Sequence, residues 1–555
     1  MKFINKTALL AILDCHFDAI AQSSKRTSHT PLIIHGINAH DGSPIRWALR
    51  NGRSPVISSL SRQSMLLRAL RLHAQVSGNK VYKDAADAAI QYTLQNYQNP
   101  DGLIAWGGHI FIDAESGEVS GPDDKGLEHE LKDTFPYYEA MHEVDSERTL
   151  LFLRSFWAHH LADPASLTIS RHGDSHNVDF SFARNLKDSL ENTPDQSRHL
   201  TFVNTANDLV YAGLKYYKYS KDDAARELCG RLLARYFATR NSTTGLGAYM
   251  YTVPEQRETA PSDIHTMSWF GDRAARQLGP ELGGQALEKN VLLESHAHSL
   301  YGEQPMMLFG MYRELGNSIA PLIKEIVKNL EAFCRYIVLP DIGACRPVLS
   351  DGTDLTAFEL QRDGYFGRRG EKLSVYPING KMVSSIFMGA LLFDSDCLHQ
   401  TARKIFRHAG LGELGASPLV KPNLNFGTTC SDPLIAICFS DAYRITGHDE
   451  YLIAAECIID RMVRRNWYRP FFKNGAANIY AVFDGVEPYA IAYFLAAHDG
   501  IAAEPFHSNN PSIYGGYFRD NRSISLFDHH HYRGVQARFD GIERSNSRQG
   551  LAPAN

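Results

Sequence analysis

Apolar residues recur at three- and four-residue spacing through much of the chain, and three stretches carry that period twice with similar punctuation. They are LLRALRLHAQVSGNKVYKDAADAAIQYTLQNY (66–97), LVYAGLKYYKYSKDDAARELCGRLLARYF (209–237) and AICFSDAYRITGHDEYLIAAECIIDRMVRRNW (436–467). In each, the spacing predicts a helix, a short polar turn (SGNK, SKDD or TGHD), then a second helix whose alanine pairs let a neighbour approach closely. A further pair fits Gln304 to Leu315 followed by Ser318 to Tyr336. Repetition of such a unit predicts an α/α toroid. Near the start, Leu9, Leu10, Leu13, Phe17 and Ile20 fall at helical spacing and predict an amphipathic first helix.

Between the helix pairs lie insertions rich in Gly, Pro, Asp and Ser, at about 99–126, 164–200, 239–262 and 340–385. Alternating runs inside them, IAWGGHIFID (104–113) and AYMYTV (248–253), predict hairpins. In a toroid, long insertions gather on one rim, and function sits there. No low-complexity linker divides the chain, so residues 1–540 read as a single catalytic body with rim insertions. Residues 541–555 read as a polar, disordered tail.

Composition narrows the function. The 555 residues carry a net charge of −5, so no broad basic surface for nucleic acid is implied. A polyanionic substrate would need a local cationic cleft. No run of about 18 apolar residues exists, so no membrane span is expected. None of the eight cysteines is in CxxC spacing, and most lie in apolar helical runs. They read as buried free thiols in a reducing compartment. The opening MKFINKTALLAILDCHFDAIAQ superficially matches a secretory leader, but Asp14, His16 and Asp18 interrupt its apolar run. The expected location is the cytoplasm, with the periplasm as the alternative.

Three stretches could do chemistry. One is WGGH, with His109 following Trp106, Gly107 and Gly108. The second is GLEHELKDTFPYYEAMHEVD (126–145), with Glu128, His129, Glu130 and Lys132. The third is TISRHGDSHNVDF (168–180), with Arg171, His172, Asp174 and His176. Two histidines and a carboxylate from separate segments can hold a divalent ion through mixed N and O ligands. Such a set suits Mn, Co, Ni, Fe or Zn better than Ca, which wants oxygen. LEHELK is not HExxH, because Asp133 stands where the second histidine would, so a zincin is excluded. Plainer readings exist for each: His109 as a half-buried strand residue after a glycine kink, Glu130 as a solvated charge, His172 as a turn residue.

The combination WGGH, then GLEHELK…PYYEAM, then SRHGD, on an α/α toroid, resembles the family 2 polysaccharide lyases, pectate lyases that use a transition metal. The resemblance runs from TPLIIHGINAHDGSPIRW (30–47) to YGGYF (514–518). It implies a mainly α fold, an (α/α)7 barrel with small β-containing rim arms that form a pincer over the cleft. It also implies His109, Glu130 and His172 as metal ligands and Arg171 as the Brønsted base. The implied ion is manganese first, with cobalt or nickel next, and not calcium. The implied substrate is polygalacturonate or oligogalacturonate, cut by β-elimination.

That chemistry accounts for the residue types. The C5 proton is poorly acidic because the neighbouring carboxylate is already negative; a divalent ion on that carboxylate offsets the charge. Arginine is an unusual base, with a pKa above ~12. A nearby dication and a dry site would both disfavour the guanidinium. His176, Lys132 or a bound hydroxide remain possible bases on physical grounds, and the resemblance selects Arg171. For substrate grip the candidates are Trp106, as a stacking face, Arg273 in WFGDRAAR, and Arg368 beside Arg369 in GYFGRRG. A cytoplasmic enzyme would meet short imported chains, so exolysis releasing unsaturated digalacturonate is expected. The alternatives are an endolytic lyase of the same family, an α/α-barrel glycoside hydrolase using two of Asp113, Asp174 and Glu130, or a sugar-binding protein without chemistry.

Overall fold

Among the residues that the computed structural model describes, seven helix pairs form a ring. The structure describes residues 4–46, 53–104, 106–107, 110–120, 129–131, 133–170, 173, 177, 179–191, 201–250, 272–362, 364–473, 480–506, 514–519 and 522–527. The helices that build the ring and its rim are, in chain order, α1 (Lys6–Thr27), α2 (Ser64–Ser77), α3 (Val81–Tyr97), α4 (Tyr138–Val144), α5 (Ser146–His160), α6 (Phe182–Glu191), α7 (Val203–Ser220) and α8 (Asp223–Ala238). They continue with α9 (Gln304–Leu315), α10 (Ala320–Tyr336), α11 (Gly380–Phe393), α12 (Asp396–His408), α13 (Pro433–Thr446), α14 (Asp449–Asn466) and α15 (Val486–His498). Six pairs are consecutive: α2/α3, α4/α5, α7/α8, α9/α10, α11/α12 and α13/α14. The seventh joins the two ends of the chain, with α15 inside and α1 outside, and α15 packs on α2 to close the ring.

Inner and outer helices differ as their environments require. On α2 every residue from Ser64 to Ala74 is buried, and on α15 every residue from Pro488 to Ala497. The outer α10 buries a stripe, Ile323, Ile326, Leu330 and Phe333, at three- and four-residue spacing. The first helix behaves as its pattern predicts, burying Leu9, Leu13, Phe17 and Ile20.

The short turns have a common chemistry. Gly78, Lys221, Asp394 and Gly447 end four inner helices in left-handed geometry, and Gly316 ends a fifth with φ 61°. Asp145, Asp222 and Ser395 then cap outer helices by accepting the backbone N–H of Arg148, Ala224 and Leu398. These turns share one rim. Every inner helix therefore starts at the opposite rim, where the long insertions lie.

Three features depart from the pattern-based expectation there, the first being α6 (Phe182–Glu191), a helix inside the 164–200 segment read as an insertion. Helix α11 opens at Gly380, inside the segment read as an insertion, because Asn379 accepts the Met382 N–H and caps it. In AYMYTV, Ala248 to Met250 are irregular, and the rest lies outside the described residues, as does the 541–555 tail.

The β structure is confined to small sheets. One arm has a three-stranded sheet in which Phe111–Asp113 lies between Ile57–Ser58 and Val119–Ser120. A second arm has its own small core of Ala274, Leu278, Ala286, Val291, Leu349, Leu355 and Leu360. At the short-turn end, the chain beyond α15 turns into the barrel, and Phe506 packs against Tyr489 with ring centroids 5.9 Å apart. Fully buried Lys215 lies nearby, paired with Glu139 and, at 2.7 Å, with Glu314.

Candidate active site

The first two chemistry-bearing stretches meet by backbone pairing. Trp106–Gly107 and His129–Glu130 form a short parallel ladder, with Trp106 opposite His129 and Gly107 opposite Glu130. Gly107 has φ 132°, which side chains with a Cβ rarely adopt, so backbone shape accounts for the first of the two glycines before His109. His109 itself lies outside the described residues, as do Lys132, Arg171, His172, Asp174 and His176. Glu130 is in the described strand. Among the described residues, no group of three His, Cys, Asp or Glu side chains is arranged to hold a metal ion.

Trp106 is 1% exposed and stands edge-on to Phe152, with centroids 5.1 Å apart. That burial leaves no open indole face for a sugar ring to stack on. From Phe152 an aromatic ladder climbs one face of α5, with Phe156 at 6.0 Å and then His160 at 4.5 Å. It runs from the WGGH stretch to the base of SRHGD. At its end the His160 Nδ1–H donates to the Ser170 carbonyl at 2.6 Å, and the Ser170 N–H donates to the His160 carbonyl at 2.7 Å. His159 Nδ1–H donates to the Gly173 carbonyl at 3.3 Å, and the Asn177 N–H to the Ala158 carbonyl at 3.1 Å. The loop carrying Arg171 and His172 is thus fastened at three points to the end of α5. Sequence reasoning passed over His159 and His160. Their signal was present in the four-residue spacing of Phe152, Phe156 and His160, which puts all three on one helix face.

The other expected residues have defined settings. Arg273 is 7% exposed, ion-paired with buried Glu288, and its guanidinium lies 3.7 Å over the Tyr365 ring. It ties the second arm together. Arg368 is half-buried and its N–H donates to Glu371 at 3.0 Å, while Arg369 is exposed. Asp113 accepts from the N–H groups of Val56 and Glu115, at 3.0 and 3.2 Å, and from Ser116 Oγ at 2.8 Å. Its carboxylate is committed to holding the rim strands.

Beneath Glu130 lies a buried polar cluster that sequence reasoning also missed. Asp208, near the start of α7, accepts the N–H groups of Thr134 and Phe135, both at 3.0 Å. Burial pushes its carboxyl up to about 7, against the opposing pull of those N–H groups and of Arg62. Asp133 accepts from Asn207 Nδ2 at 2.8 Å and Ser299 Oγ at 3.0 Å, and its carboxyl meets that of Glu303. Burial, then the charge of Glu303, hold Asp133 well above the usual carboxylate range. Burial works against the charge on Glu303 too, yet Lys381 at 2.6 Å and His298 at 3.1 Å keep its carboxylate below the ordinary range. The orientation of His298 follows from its neighbours. Asn379 Oδ1 is engaged as the α11 cap, so Asn379 Nδ2 donates to His298 Nδ1 at 2.8 Å, and His298 Nε2–H faces Glu303. The signal for this cluster was the Asp that breaks HExxH, three residues past Glu130.

Several known proteins resemble this chain. A family model described as periplasmic pectate lyase matches residues 30–515. That description points to the periplasm and overturns the cytoplasmic expectation. The cysteine argument failed for a physical reason: Cys229, Cys334 and Cys438 are buried, and burial pushes their thiols far up. Such thiols are inert, so their lack of disulfides carries little information about the compartment. A pectate disaccharide-lyase of Dickeya dadantii (strain 3937) is 32% identical over 399 residues, 70% of this chain and 73% of that protein. Among solved structures, a cellobiose 2-epimerase from Bacillus thermoamylovorans B4167 aligns with TM-score 0.38 and 10% identity, over 89% of this chain and 99% of that one. The GH76A α-1,6-mannanase of Salegentibacter sp. HEL1_6 aligns with TM-score 0.38 and 8% identity, over 88% and 99%. No helix among the described residues is long and apolar enough to cross a membrane. With the three motifs in order along a ring of helix pairs, and a family match that spans most of its length, the chain belongs to the periplasmic pectate lyase family.

Proposed function

We propose that this protein cleaves pectate by β-elimination, working from a chain end and releasing an unsaturated disaccharide. The observation that carries the reading is the pairing of Gly107 with Glu130, which brings WGGH and LEHELK together in a chain of the pectate lyase family. The exolytic mode now draws its support from the Dickeya relative, whose name denotes a disaccharide-lyase, and no longer from location.

In this reading His109, Glu130 and His172 hold a divalent transition ion, manganese first and cobalt or nickel next. Two imidazole nitrogens and one carboxylate oxygen fit that class and do not fit calcium. When bound, the ion would neutralise the substrate carboxylate and favour the charge that develops as C5 loses its proton. Arg171 takes that proton, the C5–H electron pair becomes the C4–C5 double bond, and O4 leaves with the electrons of the C4–O4 bond and gains a proton from solvent as the hydroxyl of the released chain. Nearby positive charge and exclusion of water disfavour the guanidinium and make arginine competent for the task. The hydrogen bonds from His159 and His160 hold Gly173 and Ser170, the residues that flank Arg171 and His172 in the chain. Arg368 and Arg369 supply rim cations for the acidic chain, while Arg273, tied to Glu288, braces the arm behind them.

The test is to mix the purified protein with polygalacturonate and Mn²⁺ and follow the near-UV absorbance of a 4,5-unsaturated uronate, with and without chelator. The expected result is an absorbance rise that chelator abolishes, with unsaturated disaccharide dominant from the earliest time points. Chain shortening without absorbance would instead mark a hydrolase. A ladder of mixed sizes with a rapid fall in viscosity would mark endolysis.

A further inference from the structure

We propose that Asp133 is a positioning residue of the active site: through Asn207, Ser299 and Glu303 it fixes the strand end that carries Glu130. The inference rests on Glu130 being a metal ligand. The backbone leaves the His129–Glu130 strand, passes buried Leu131, and adopts left-handed geometry at Asp133 (φ 53°) and Phe135 (φ 45°). Such conformations are costly for residues with a Cβ and persist where the surroundings dictate them.

The surroundings are explicit here. Asn207 on α7 donates to one Asp133 oxygen at 2.8 Å, and its own oxygen accepts from Gln304 on α9 at 2.8 Å, which fixes the amide's orientation. Ser299 donates to the other Asp133 oxygen at 3.0 Å from the π-helical turn His298–Glu303 that leads into α9. π-helical turns are frequent at functional sites. Lys381, in the first turn of α11, holds Glu303 in place at 2.6 Å. One side chain thus joins the Glu130 loop to the starts of three inner helices. Asp133 is fully buried, and an apolar residue there would take from Asn207 Nδ2 its acceptor and leave Ser299 only the longer bond to Glu303 at 3.4 Å. The raised affinity of Asp133 for a proton fits the arrangement, because a protonated carboxyl can donate to Glu303. An asparagine can hold the same partners with one bond reversed: its Oδ1 accepts from Asn207, its Nδ2 donates to Glu303 and to Ser299 Oγ, and the Ser299 hydroxyl turns to Glu303, 3.4 Å away. Asparagine also tolerates left-handed geometry.

Two variants of the full chain separate the clamp from backbone shape. Asp133→Asn keeps a polar side chain bonded to the same partners, whereas Asp133→Gly relieves the backbone but removes every bond. Hydrogen–deuterium exchange of the peptide 127–137, in the absence of metal, reads the position of the Glu130 segment directly. Calorimetric titration with Mn²⁺ reads its consequence. Asp133→Asn should stay within about threefold of wild type in both, while Asp133→Gly should speed exchange and weaken Mn²⁺ binding by about tenfold or more with helical circular dichroism retained. Ser299→Ala deletes one donor without touching the loop and should speed exchange of the same peptide. Wild-type exchange in Asp133→Gly and Ser299→Ala, or damage in Asp133→Asn equal to that in Asp133→Gly, overturns the proposal. If the wild type itself fails to bind Mn²⁺, the ligand reading of Glu130 falls, and the exchange contrast still decides the role of Asp133.

Discussion

Replacing His160 by leucine should lower kcat/KM while leaving the barrel folded. His160 is fully buried, and its Nδ1–H donates at 2.6 Å to the carbonyl of Ser170, the residue before Arg171. Leucine fills a comparable volume without a donor. The reciprocal bond from the Ser170 N–H is made to backbone and remains. The half-buried Ser170 carbonyl loses this bond, and removing one partner of such a bond costs ~1–3 kcal/mol. The cheapest relief is for the loop to open and let water in, so the cost falls on the loop that carries Arg171 and His172. A cost of ~1–3 kcal/mol corresponds to roughly a 5- to 150-fold rise in the open population, and kcat/KM should fall within that range. The control is His160→Asn, whose side-chain amide can take the place of Nδ1–H and should retain most activity. The assay is uronate absorbance under saturating Mn²⁺, with kcat and KM measured separately, and urea unfolding to confirm that global stability is largely kept. Activity within twofold of wild type in His160→Leu would refute the reasoning. So would equal damage in His160→Asn when both variants are folded.

Other perturbations test other parts of the site. Arg171→Lys should keep Mn²⁺ by calorimetry but lose most turnover, because lysine is a point charge on a different geometry; wild-type kcat would move the base to His176. His109→Ala, Glu130→Ala and His172→Ala should each lose bound metal by elemental analysis, and stoichiometric metal in all three would defeat the ligand assignment. Asp208 is raised from 3.8 to about 7 by burial, so the folded state holds a proton that the unfolded chain releases. Its contribution to stability is fully present below its unfolded value and is lost as pH rises through its folded value. The unfolding free energy in urea should therefore fall between about pH 4 and 7, and Asp208→Asn should flatten that part of the profile.

The sequence by itself determined the local structure and the family. The three pattern-matched helix pairs are the pairs α2/α3, α7/α8 and α13/α14. The turn residues SGNK, SKDD and TGHD hold the left-handed ends at Gly78, Lys221 and Gly447. These features depend on side chains within a few residues of each other, which is the reach of periodicity and capping. The order of WGGH, LEHELK and SRHGD was equally legible. Tertiary structure alone decided which faces meet. Trp106 reads in sequence as an open stacking face, and burial against Phe152 turns it into the foot of a ladder that ends at the Ser170 loop. Arg273 reads as a rim cation, and Glu288 and Tyr365 enclose it. Asp133 reads as the residue that spoils a zinc motif, and Asn207 and Ser299 make it a clamp. The partners of Asp133 lie 74 and 166 residues away along the chain. No local pattern marks such pairings, because they arise only when ring closure brings the starts of the inner helices to one rim and buries the groups that must then be paired.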